Sequence, residues 1–304
     1  MTRQYHKPRI KDFPPLVAKN GGQLMEFLLA NLPGKNRSNI KTLLNHRQVL
    51  VNGMVVGFYN HQLQPGDTVQ VQKFKAPAEM SFVGMTVVFE DDSLIVVDKH
   101  AGMVCSSSSK SQKTVSSVLS RHVKSQHPCN AVFMVTSLDR ETSGLVVFSK
   151  SKQLKDAMQQ SAEAMQCTYL AVVGGAIDKP EGVLKSYLFE DKKTFKVHSS
   201  QNPDGCQLAI THIKLMKSNA RYSMLKVNTE TNVKNQIRVQ LQDIGNSIIG
   251  DLRYGSTENP IDRLGLHAWT LSFRHPVTGK LMTFESHVPK KFLHLFDGTS
   301  EDAD

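Results

Sequence analysis

Two short segments near the start of the chain repeat apolar residues at the spacing of an amphipathic helix. The first covers residues 24–32 and ends at Pro33-Gly34, a pair that cannot continue a helix. The second begins after Ser38, which we interpret as its N-cap, and turns Ile40 and Leu44 toward the core. The pattern therefore predicts two consecutive helices.

The apolar runs that follow are too short for further helices and are typical of strands. Val49–Val51 and Met54–Val56 are joined at Asn52-Gly53, the dipeptide that most strongly favours a tight hairpin. Another strand is predicted at Thr68–Val71. Two helices and a small sheet make a compact α+β module, and we place it at residues 20–75.

Strands outnumber helices in the rest of the chain, and the two seldom alternate. The pattern predicts strands within residues 87–99, 145–148, 168–174, 213–216, 222–227 and 266–273, and helices near 115–123 and 154–158. Because a doubly wound fold requires regular alternation, we expect an α+β domain with a large mixed, mostly antiparallel sheet. We place this larger domain at residues 80–296.

Charge adds a class of partner to this outline. The chain has 304 residues, with 37 Lys and Arg against 27 Asp and Glu and a formal charge of +10. Such an excess favours a polyanionic partner, nucleic acid first, although a basic protein without one has the same composition. No apolar run is long enough to cross a bilayer and no signal peptide is recognisable, so we expect a cytoplasmic protein.

The sequence lacks the patterns of metal and cofactor sites. Its four cysteines lie far apart without a Cys-x-x-Cys pair, and its twelve histidines include no His-x-x-x-His pair. Neither the dinucleotide motif Gly-x-Gly-x-x-Gly nor the phosphate-binding motif Gly-x-x-x-x-Gly-Lys occurs. We therefore expect reduced thiols, no metal and no nucleotide cofactor. We also expect a monomer.

Candidate chemistry centres on the run Ser137–Gly144, in which Asp139 is followed by Arg140 and then by a Thr-Ser-Gly turn. The strand after it, at 145–148, is entirely apolar and is expected to be buried. This arrangement is typical of a reactive carboxylate held in a loop against a buried sheet. A turn aspartate without a catalytic role has the same local pattern.

Two residues elsewhere would complete a site around Asp139. Arg238, in the basic and apolar segment Lys234–Val239, is predicted at a strand or loop edge and would keep the carboxylate ionised. Tyr169, near the start of a strand, would stack on a planar base and relay a proton through its hydroxyl. A surface ion pair and a half-buried strand tyrosine are the alternatives. The triad would suit one RNA base turned out of its stack.

Several ordered segments of the larger domain match a known pattern. They are Glu90–Gly102, Thr136–Leu145, Thr168–Gly174, Asn235–Val239 with Gly250–Gly255, and Leu266–Gly279. Together they resemble the catalytic domain of the RluA/RluD family of RNA pseudouridine synthases, whose signature His-Arg-Leu-Asp-x-x-Thr-Ser-Gly-Leu places its catalytic aspartate at Asp139. The resemblance implies a cofactor-free enzyme that detaches a uracil from its ribose, rotates it and rejoins it through carbon. Asp139 would be the nucleophile, Arg238 would hold it ionised, and Tyr169 would assist proton transfer.

Residues 22–73 resemble the S4 RNA-binding domain, which has the same helix-turn-helix and Val-Asn-Gly hairpin. This implies an RNA partner, with ribosomal RNA favoured over transfer RNA, whereas a solvated basic helix without a ligand is the alternative. The residues expected to contact RNA are the basic positions Arg37, Lys41, Arg47, Lys99, Arg140 and Lys234.

The chain departs from the family pattern at two places beside the candidate site. Thr136-Ser137 stands where the signature has His-Arg, so the arginine that in relatives helps displace the flipped uridine is missing. Asn232–Asn235 stands where the third motif has Gly-Arg-x-His. Either another cation, Arg140 or Lys110, replaces the arginine, or base flipping is weaker.

We favour retained catalysis with altered substrate handling, because the acid, the aromatic residue and the cation of the site are all present. An RNA-binding or ribosome-assembly protein that kept the fold and lost efficient catalysis is the alternative. A basic hydrolase that uses Asp139 with a metal is weaker, because no cluster of metal ligands accompanies the carboxylate.

Overall fold

The computed structural model describes residues 14–46, 48–52, 54–57, 59–72, 80–109, 111–160, 165–177 and 179–297. The chain divides into two compact units, residues 1–79 and residues 80–304. Arg47, which is expected to contact RNA, and Lys110, a possible substitute for the missing arginine, lie outside the described residues.

The first unit combines two short helices with small antiparallel sheets. Its elements are β1 (Leu16–Val17), β2 (Gly22–Gln23), α1 (Leu24–Asn31), α2 (Arg37–Asn45), β3 (Val49–Val51), β4 (Met54–Val55), β5 (Gln62–Leu63) and β6 (Thr68–Val71). The strands pair in the order β1-β6-β3-β4, and β2 pairs with β5. Leu28 of α1, Ile40 of α2 and Val69 of β6 are buried in one core. The predicted helices and hairpin are therefore confirmed.

The start of α2 differs from the prediction. Asn36, and not Ser38, is the N-cap: its side chain accepts a hydrogen bond from the Asn39 amide at 2.8 Å. The Asn39 side chain in turn accepts one from the Asn36 amide at 3.1 Å. Two asparagines thus form the reciprocal box that is more often made by Ser or Thr with Glu, and Ser38 lies inside the helix.

The second unit is built on one large sheet. Its elements are β7 (Met80–Phe82), β8 (Met85–Glu90), β9 (Leu94–Lys99), α3 (Val115–Gln126), β10 (Phe133–Met134), β11 (Ser143–Ser149), α4 (Lys152–Gln160), β12 (Met165–Gly174), β13 (Glu181–Glu190), β14 (Val197–Ser200), β15 (Gln207–Ser218), β16 (Tyr222–Thr229), α5 (Gln236–Asp243), a 3-10 turn (Leu252–Tyr254), β17 (Leu266–Arg274), β18 (Leu281–Glu285) and α6 (Lys290–His294).

The described residues place 12 strands in this sheet, in the order β14-β13-β15-β16-β12-β17-β11-β9-β8-β7, with β10 beside β11 and β18 beside β17. Their neighbouring pairs are antiparallel apart from β11 and β17, which are parallel. The expected α+β class with a mixed, mostly antiparallel sheet is confirmed.

The parallel contact between β11 and β17 fixes the end of the loop that carries Asp139. Ser143 pairs with His267, and Gly144 pairs with Ala268. A Cβ atom on Gly144 would lie 2.1 Å from the Ala268 carbonyl oxygen, and its φ of +115° is one that other residues rarely adopt. Glycine is therefore required for the two backbones to approach.

A buried hydrogen-bond network closes the same contact. Arg263 donates from Nη2 to Ser143 Oγ at 2.7 Å, and Ser143 Oγ lies 2.8 Å from His267 Nδ1. The Ser143 hydroxyl accepts from the guanidinium, which can only donate, and forms a second hydrogen bond with His267 Nδ1. Burial, together with the charge of Arg263, lowers the pKa of His267 to about 3, so the imidazole stays neutral.

Gly144→Ala is expected to destabilise the second unit by at least about 3 kcal/mol, because the new methyl group collides with the backbone of β17. Urea unfolding followed by the fluorescence of Trp269, the single tryptophan, reports on this unit. Gly279→Ala is the matched control, since its φ is +69° but its surroundings are open, and roughly 1–2 kcal/mol is expected there. Equal losses in the two variants would contradict the steric explanation.

His267 is expected to make the second unit labile to acid. Between pH 6.5 and about 3, the unfolded chain binds a proton at this residue that the folded chain does not bind. The free energy of unfolding therefore falls as the pH is lowered through that window, by up to roughly 5 kcal/mol.

His267→Asn retains a neutral side chain with both a donor and an acceptor for Ser143, and it should remove this part of the pH dependence. His294→Asn, at an exposed histidine of α6, should leave it unchanged. Urea unfolding at neutral and at mildly acidic pH, followed by Trp269 fluorescence, compares the two variants. The same acid sensitivity in His267→Asn and in the wild type would show that another group is responsible.

Candidate active site

Asp139 lies in the loop between β10 and β11, on the wall of a cavity of about 340 Å³. The backbone around it is fixed, because the Arg140 carbonyl accepts hydrogen bonds from the Gly102 amide at 2.7 Å and from the Lys99 ammonium at 3.2 Å. The Thr142 amide donates to the Asp139 carbonyl at 3.2 Å. The Asp139 side chain is nevertheless 37% exposed, so the carboxylate is held in place and open to a ligand.

Arg238 connects Asp139 to a second carboxylate. Its Nη1 donates to Asp139 Oδ2 at 2.8 Å, while Nε and Nη2 donate to the two oxygens of Asp251 at 2.7 and 2.8 Å. The Arg238 and Asp251 side chains are only 10% and 1% exposed. Burial alone would lower the pKa of the guanidinium, but the hydrogen bonds and charges of Asp251 and Asp139 raise it. Arg238 is therefore a permanent cation that Asp251 orients.

Arg238 belongs to a helix, and its predicted place at a strand or loop edge is wrong. The neighbouring Ile237 and Leu241 pack into the core with Leu225 of β16, which seats α5 against the sheet. Asn235, the N-cap, has a φ of +56° and allows the chain to turn sharply into the helix. Because this helix contains six buried residues in a row, its sequence does not alternate clearly between apolar and polar positions.

Tyr254 supports Arg238 from another side. Its ring centroid lies 4.8 Å from Arg238 Cζ, within the range of a cation–π interaction. Its hydroxyl accepts hydrogen bonds from Asn235 Nδ2 and from the Val197 amide, both at 3.1 Å. Asn235 Oδ1 also accepts from Arg238 Nη1 at 3.3 Å. The guanidinium is thus held by a carboxylate, an amide and an aromatic ring before any ligand binds.

Tyr169 lines the same cavity from β12, at a bulge where the register with β17 shifts between Thr168 and Tyr169. Cys167 and burial raise the pKa of the Tyr169 hydroxyl, which stays protonated at neutral pH. The structure therefore brings Asp139, Tyr169 and Arg238 together at one cavity.

A second cavity of about 450 Å³ adjoins the first and shares Ser137 and Tyr169 with it. Thr136 and Ser137, which stand where the family signature has His-Arg, both line this space. No lysine or arginine among the described residues lines it. Arg140, one of the suggested substitutes, instead donates from Nε to the Gly102 carbonyl at 3.1 Å. Open space therefore lies next to the small side chains of Thr136 and Ser137, close to Asp139.

Lys99 does not contact RNA in this fold, and that prediction is wrong. The residue is fully buried, and its ammonium donates to the carbonyls of His100, Met103 and Arg140 at 3.2, 2.9 and 3.2 Å. Burial lowers the pKa of Lys99 to about 8. Because three acceptors occupy the three N–H groups of the ammonium, none is left for a phosphate. Lys99 stabilises the loop that carries Asp139.

The other described cations expected to contact RNA are accessible. Lys234 lines the cavity beside Asp139 and forms an ion pair with Glu190 of β13. Arg37 and Lys41 are exposed on α2 of the first unit. Their contact with RNA stays a prediction.

The three partners that hold Arg238 are not among the site residues predicted from the sequence. Asn235 and the segment Gly250–Gly255, which contains Asp251 and Tyr254, match the family pattern but carry no predicted role. The Asp-x-x-Tyr spacing could have indicated a structural carboxylate. Nothing in the local sequence says which arginine that carboxylate binds, because the pair forms only when α5 and the 3-10 turn meet.

The cavity has a simple ionic composition. Within the described part of the chain, its basic lining residues are Lys234 and Arg238. No group of three or more His, Cys, Asp or Glu side chains in that part could hold a metal ion.

None of the helices in the described part of the chain is long and apolar enough to cross a membrane.

Comparisons with known proteins agree on one family. The family described as RNA pseudouridylate synthase matches residues 93–243. A Bacillus subtilis protein named uncharacterized RNA pseudouridine synthase YhcT is 28% identical over 285 residues, covering 91% of this chain and 93% of that protein. Ribosomal large subunit pseudouridine synthase D of Pasteurella multocida is 27% identical over 309 residues, covering 92% of each.

A solved structure shows the same fold. Human RNA pseudouridylate synthase domain containing 4 aligns with a TM-score of 0.57 at 19% identity, covering 68% of this chain and 90% of that one. The span matched by the family, 93–243, contains Asp139, Tyr169 and Arg238. With relatives that match over nine tenths of its length, the chain belongs to the RluA/RluD family of RNA pseudouridine synthases.

Proposed function

We propose that this protein converts uridine to pseudouridine in structured RNA, with ribosomal RNA favoured over transfer RNA, and that Asp139 is its nucleophile. The observation that carries the proposal is the 2.8 Å hydrogen bond between Arg238 Nη1 and Asp139 Oδ2 on the wall of an open cavity. The name of the related ribosomal large subunit pseudouridine synthase D supports the choice of RNA.

The reaction breaks the bond between uracil N1 and ribose C1′ and joins uracil C5 to the same carbon. The proton on C5 leaves and N1 gains one, so the product is an isomer and no oxidant or reductant is consumed. Asp139 could attack the ribose carbon, attack the uracil ring or remove a ribose proton, and each route requires an ionised carboxylate beside the glycosidic bond. Arg238 meets that requirement by placing a permanent positive charge at Oδ2.

Tyr169 contributes a planar ring and a neutral hydroxyl at the same cavity. The ring would stack on the displaced uracil, and the hydroxyl would relay the proton that leaves C5. Thr136 and Ser137 would handle the substrate differently from the family's His-Arg pair, because short hydroxyl side chains cannot take the space of a displaced base.

The rest of the chain would serve RNA binding. The first unit would act as an S4-like module, with Arg37, Lys41 and Arg47 facing phosphates, and Lys234 and Arg140 would do so near the cavity. A monomer that needs no cofactor is sufficient for this chemistry, and a ribosomal RNA substrate would place the protein in the cytoplasm.

Asp139→Asn preserves the shape of the side chain but cannot act as a nucleophile. Pseudouridine formation should fall by about 1000-fold or more, with little change in RNA affinity. The assay incubates purified protein with RNA from cells that lack the gene and maps pseudouridine with a specific chemical probe. Asp92→Asn, an exposed carboxylate in the turn between β8 and β9, is the matched control and should be fully active.

Two outcomes of that assay would count against the proposal. Wild-type amounts of product from Asp139→Asn would show that another residue is the nucleophile. RNA binding by the wild-type protein without any product would favour the alternative, a binding protein that has lost catalysis.

Asp251→Asn should lower kcat by about 10- to 100-fold while leaving KM nearly unchanged, because the fork that directs Arg238 toward Asp139 is broken. The substitution should also lower the free energy of unfolding by about 3 kcal/mol, since the buried charge of Arg238 loses the more buried of its two carboxylate partners. Steady-state kinetics at a temperature where Trp269 fluorescence shows the variant folded separates the two effects. An unchanged kcat in the folded variant would mean that Asp251 is structural only.

A further inference from the structure

The turn between β13 and β14 exposes a large aromatic side chain among lysines. Residues 191–196 read Asp-Lys-Lys-Thr-Phe-Lys, and Phe195 is 63% exposed. Leaving a phenyl ring in water forgoes the favourable free energy of burying it. Nothing in the proposed chemistry at Asp139 requires this residue.

The turn is nevertheless held firmly. Phe195 has a φ of +52°, in the left-handed region that is uncommon for bulky residues. Its amide donates to the Asp191 carbonyl at 2.7 Å, and Arg253 Nη2 donates to the carbonyls of Thr194 and Phe195 at 3.0 and 2.6 Å. The surrounding contacts therefore maintain a strained backbone that presents the ring to solvent, an arrangement found more often at functional surfaces than elsewhere.

The outward charge of the turn is positive. Lys192 and Lys193 are exposed, and no ion pair among the described residues includes either of them. The Asp191 carboxylate is engaged inside the turn, where it accepts from the Lys193 amide at 2.7 Å and from the Thr194 hydroxyl at 2.9 Å. Glu190 is paired with Lys234. A polyanion approaching the turn therefore meets unpaired lysines.

Tyr254 links this turn to the pair formed by Arg238 and Asp139. Lys196 Nζ lies 5.2 Å from the centroid of the Tyr254 ring, and the same centroid is 4.8 Å from Arg238 Cζ. The Val197 amide, immediately after the turn, donates to the Tyr254 hydroxyl at 3.1 Å. The turn therefore has a fixed position relative to the cavity.

A depression of about 260 Å³ lies between the ends of the two strands that flank the turn and the cavity of Asp139. Phe189 and Glu190 of β13 line it, and it shares Val233 and Lys234 with that cavity. The depression therefore leads from the cavity of Asp139 past Lys234 to Glu190, the residue that precedes the turn.

We propose that Lys192, Lys193 and Phe195 form a platform that binds the single-stranded RNA next to the target uridine, with Phe195 stacked on one of its bases. Lysines that follow the phosphates, together with rings that accept any base, are how proteins hold single strands without reading their sequence. The position of the platform beside the target rests on the proposed function, whereas its binding of RNA does not depend on catalysis.

The test uses the full-length protein carrying Asp139→Asn and a fluorescein-labelled short oligouridine, with affinity measured by anisotropy at several KCl concentrations. Phe195→Ala should weaken binding by about 10-fold, the loss expected for one stacked base. Lys192→Ala with Lys193→Ala should reduce the slope of log affinity against log salt by roughly 1.4, for two phosphates of a single strand. Lys217→Ala with Lys280→Ala, exposed lysines at the far end of β15 and in the turn between β17 and β18, should change neither value.

Photo-crosslinking with 5-iodouridine in the same oligomer locates the contact. Mass spectrometry should find the crosslink on the peptide that contains Phe195, and Phe195→Ala should abolish it. Wild-type affinity in Phe195→Ala, or crosslinks confined to residues 14–72, would overturn the proposal. A normal crosslink in a protein whose wild type forms no pseudouridine would count against the proposed function alone.

Discussion

One guanidinium shared by two carboxylates determines the geometry of the site. The donors of Arg238 lie in a rigid plane, so the fork that binds Asp251 also fixes the direction of Nη1 toward Asp139. The ion pair with Asp251 offsets the free-energy cost of burying Arg238. Arg238 then forms its second ion pair with Asp139, the more exposed of the two carboxylates. A lysine, with one compact ammonium, could not serve both partners in this way. Asp139 is thus positioned by residues more than ninety positions away in the chain.

The other side of the site depends on backbone geometry. Gly144 lets β11 approach β17, and the buried bond between Ser143 and His267 closes that contact. Lys99 fixes the loop by donating to backbone carbonyls, including that of Arg140. Asp139 therefore lies where two independent constraints meet, the packing of α5 on the sheet and the parallel pairing of two strands.

Local periodicity was enough to predict the class of fold and many elements, because strands such as β12 and helices such as α3 bury one clear set of apolar side chains. It missed β13, whose residues Glu181–Glu190 alternate between exposed and half-buried positions and carry charges at both ends. The role predicted for Lys99 is wrong, because a lysine side chain by itself suggests contact with phosphate. The burial of this lysine depends instead on backbone carbonyls that distant loops supply. Sequence patterns indicated Asp139 and Arg238 but not Asp251, since a contact formed by folding leaves no pattern in either segment.

Thr136 and Ser137 mark where this protein differs from the family signature, and open space lies beside them. The site keeps Asp139, Tyr169 and Arg238 around one cavity but lacks the arginine of the signature's His-Arg pair. This combination is consistent with an active enzyme that handles its RNA differently. The most direct measurement compares pseudouridine maps of ribosomal and transfer RNA from cells with and without the gene. The disappearance of one or a few sites upon deletion is the predicted result. Identical maps, with every pseudouridine retained, would contradict the conclusion that this chain is an active pseudouridine synthase.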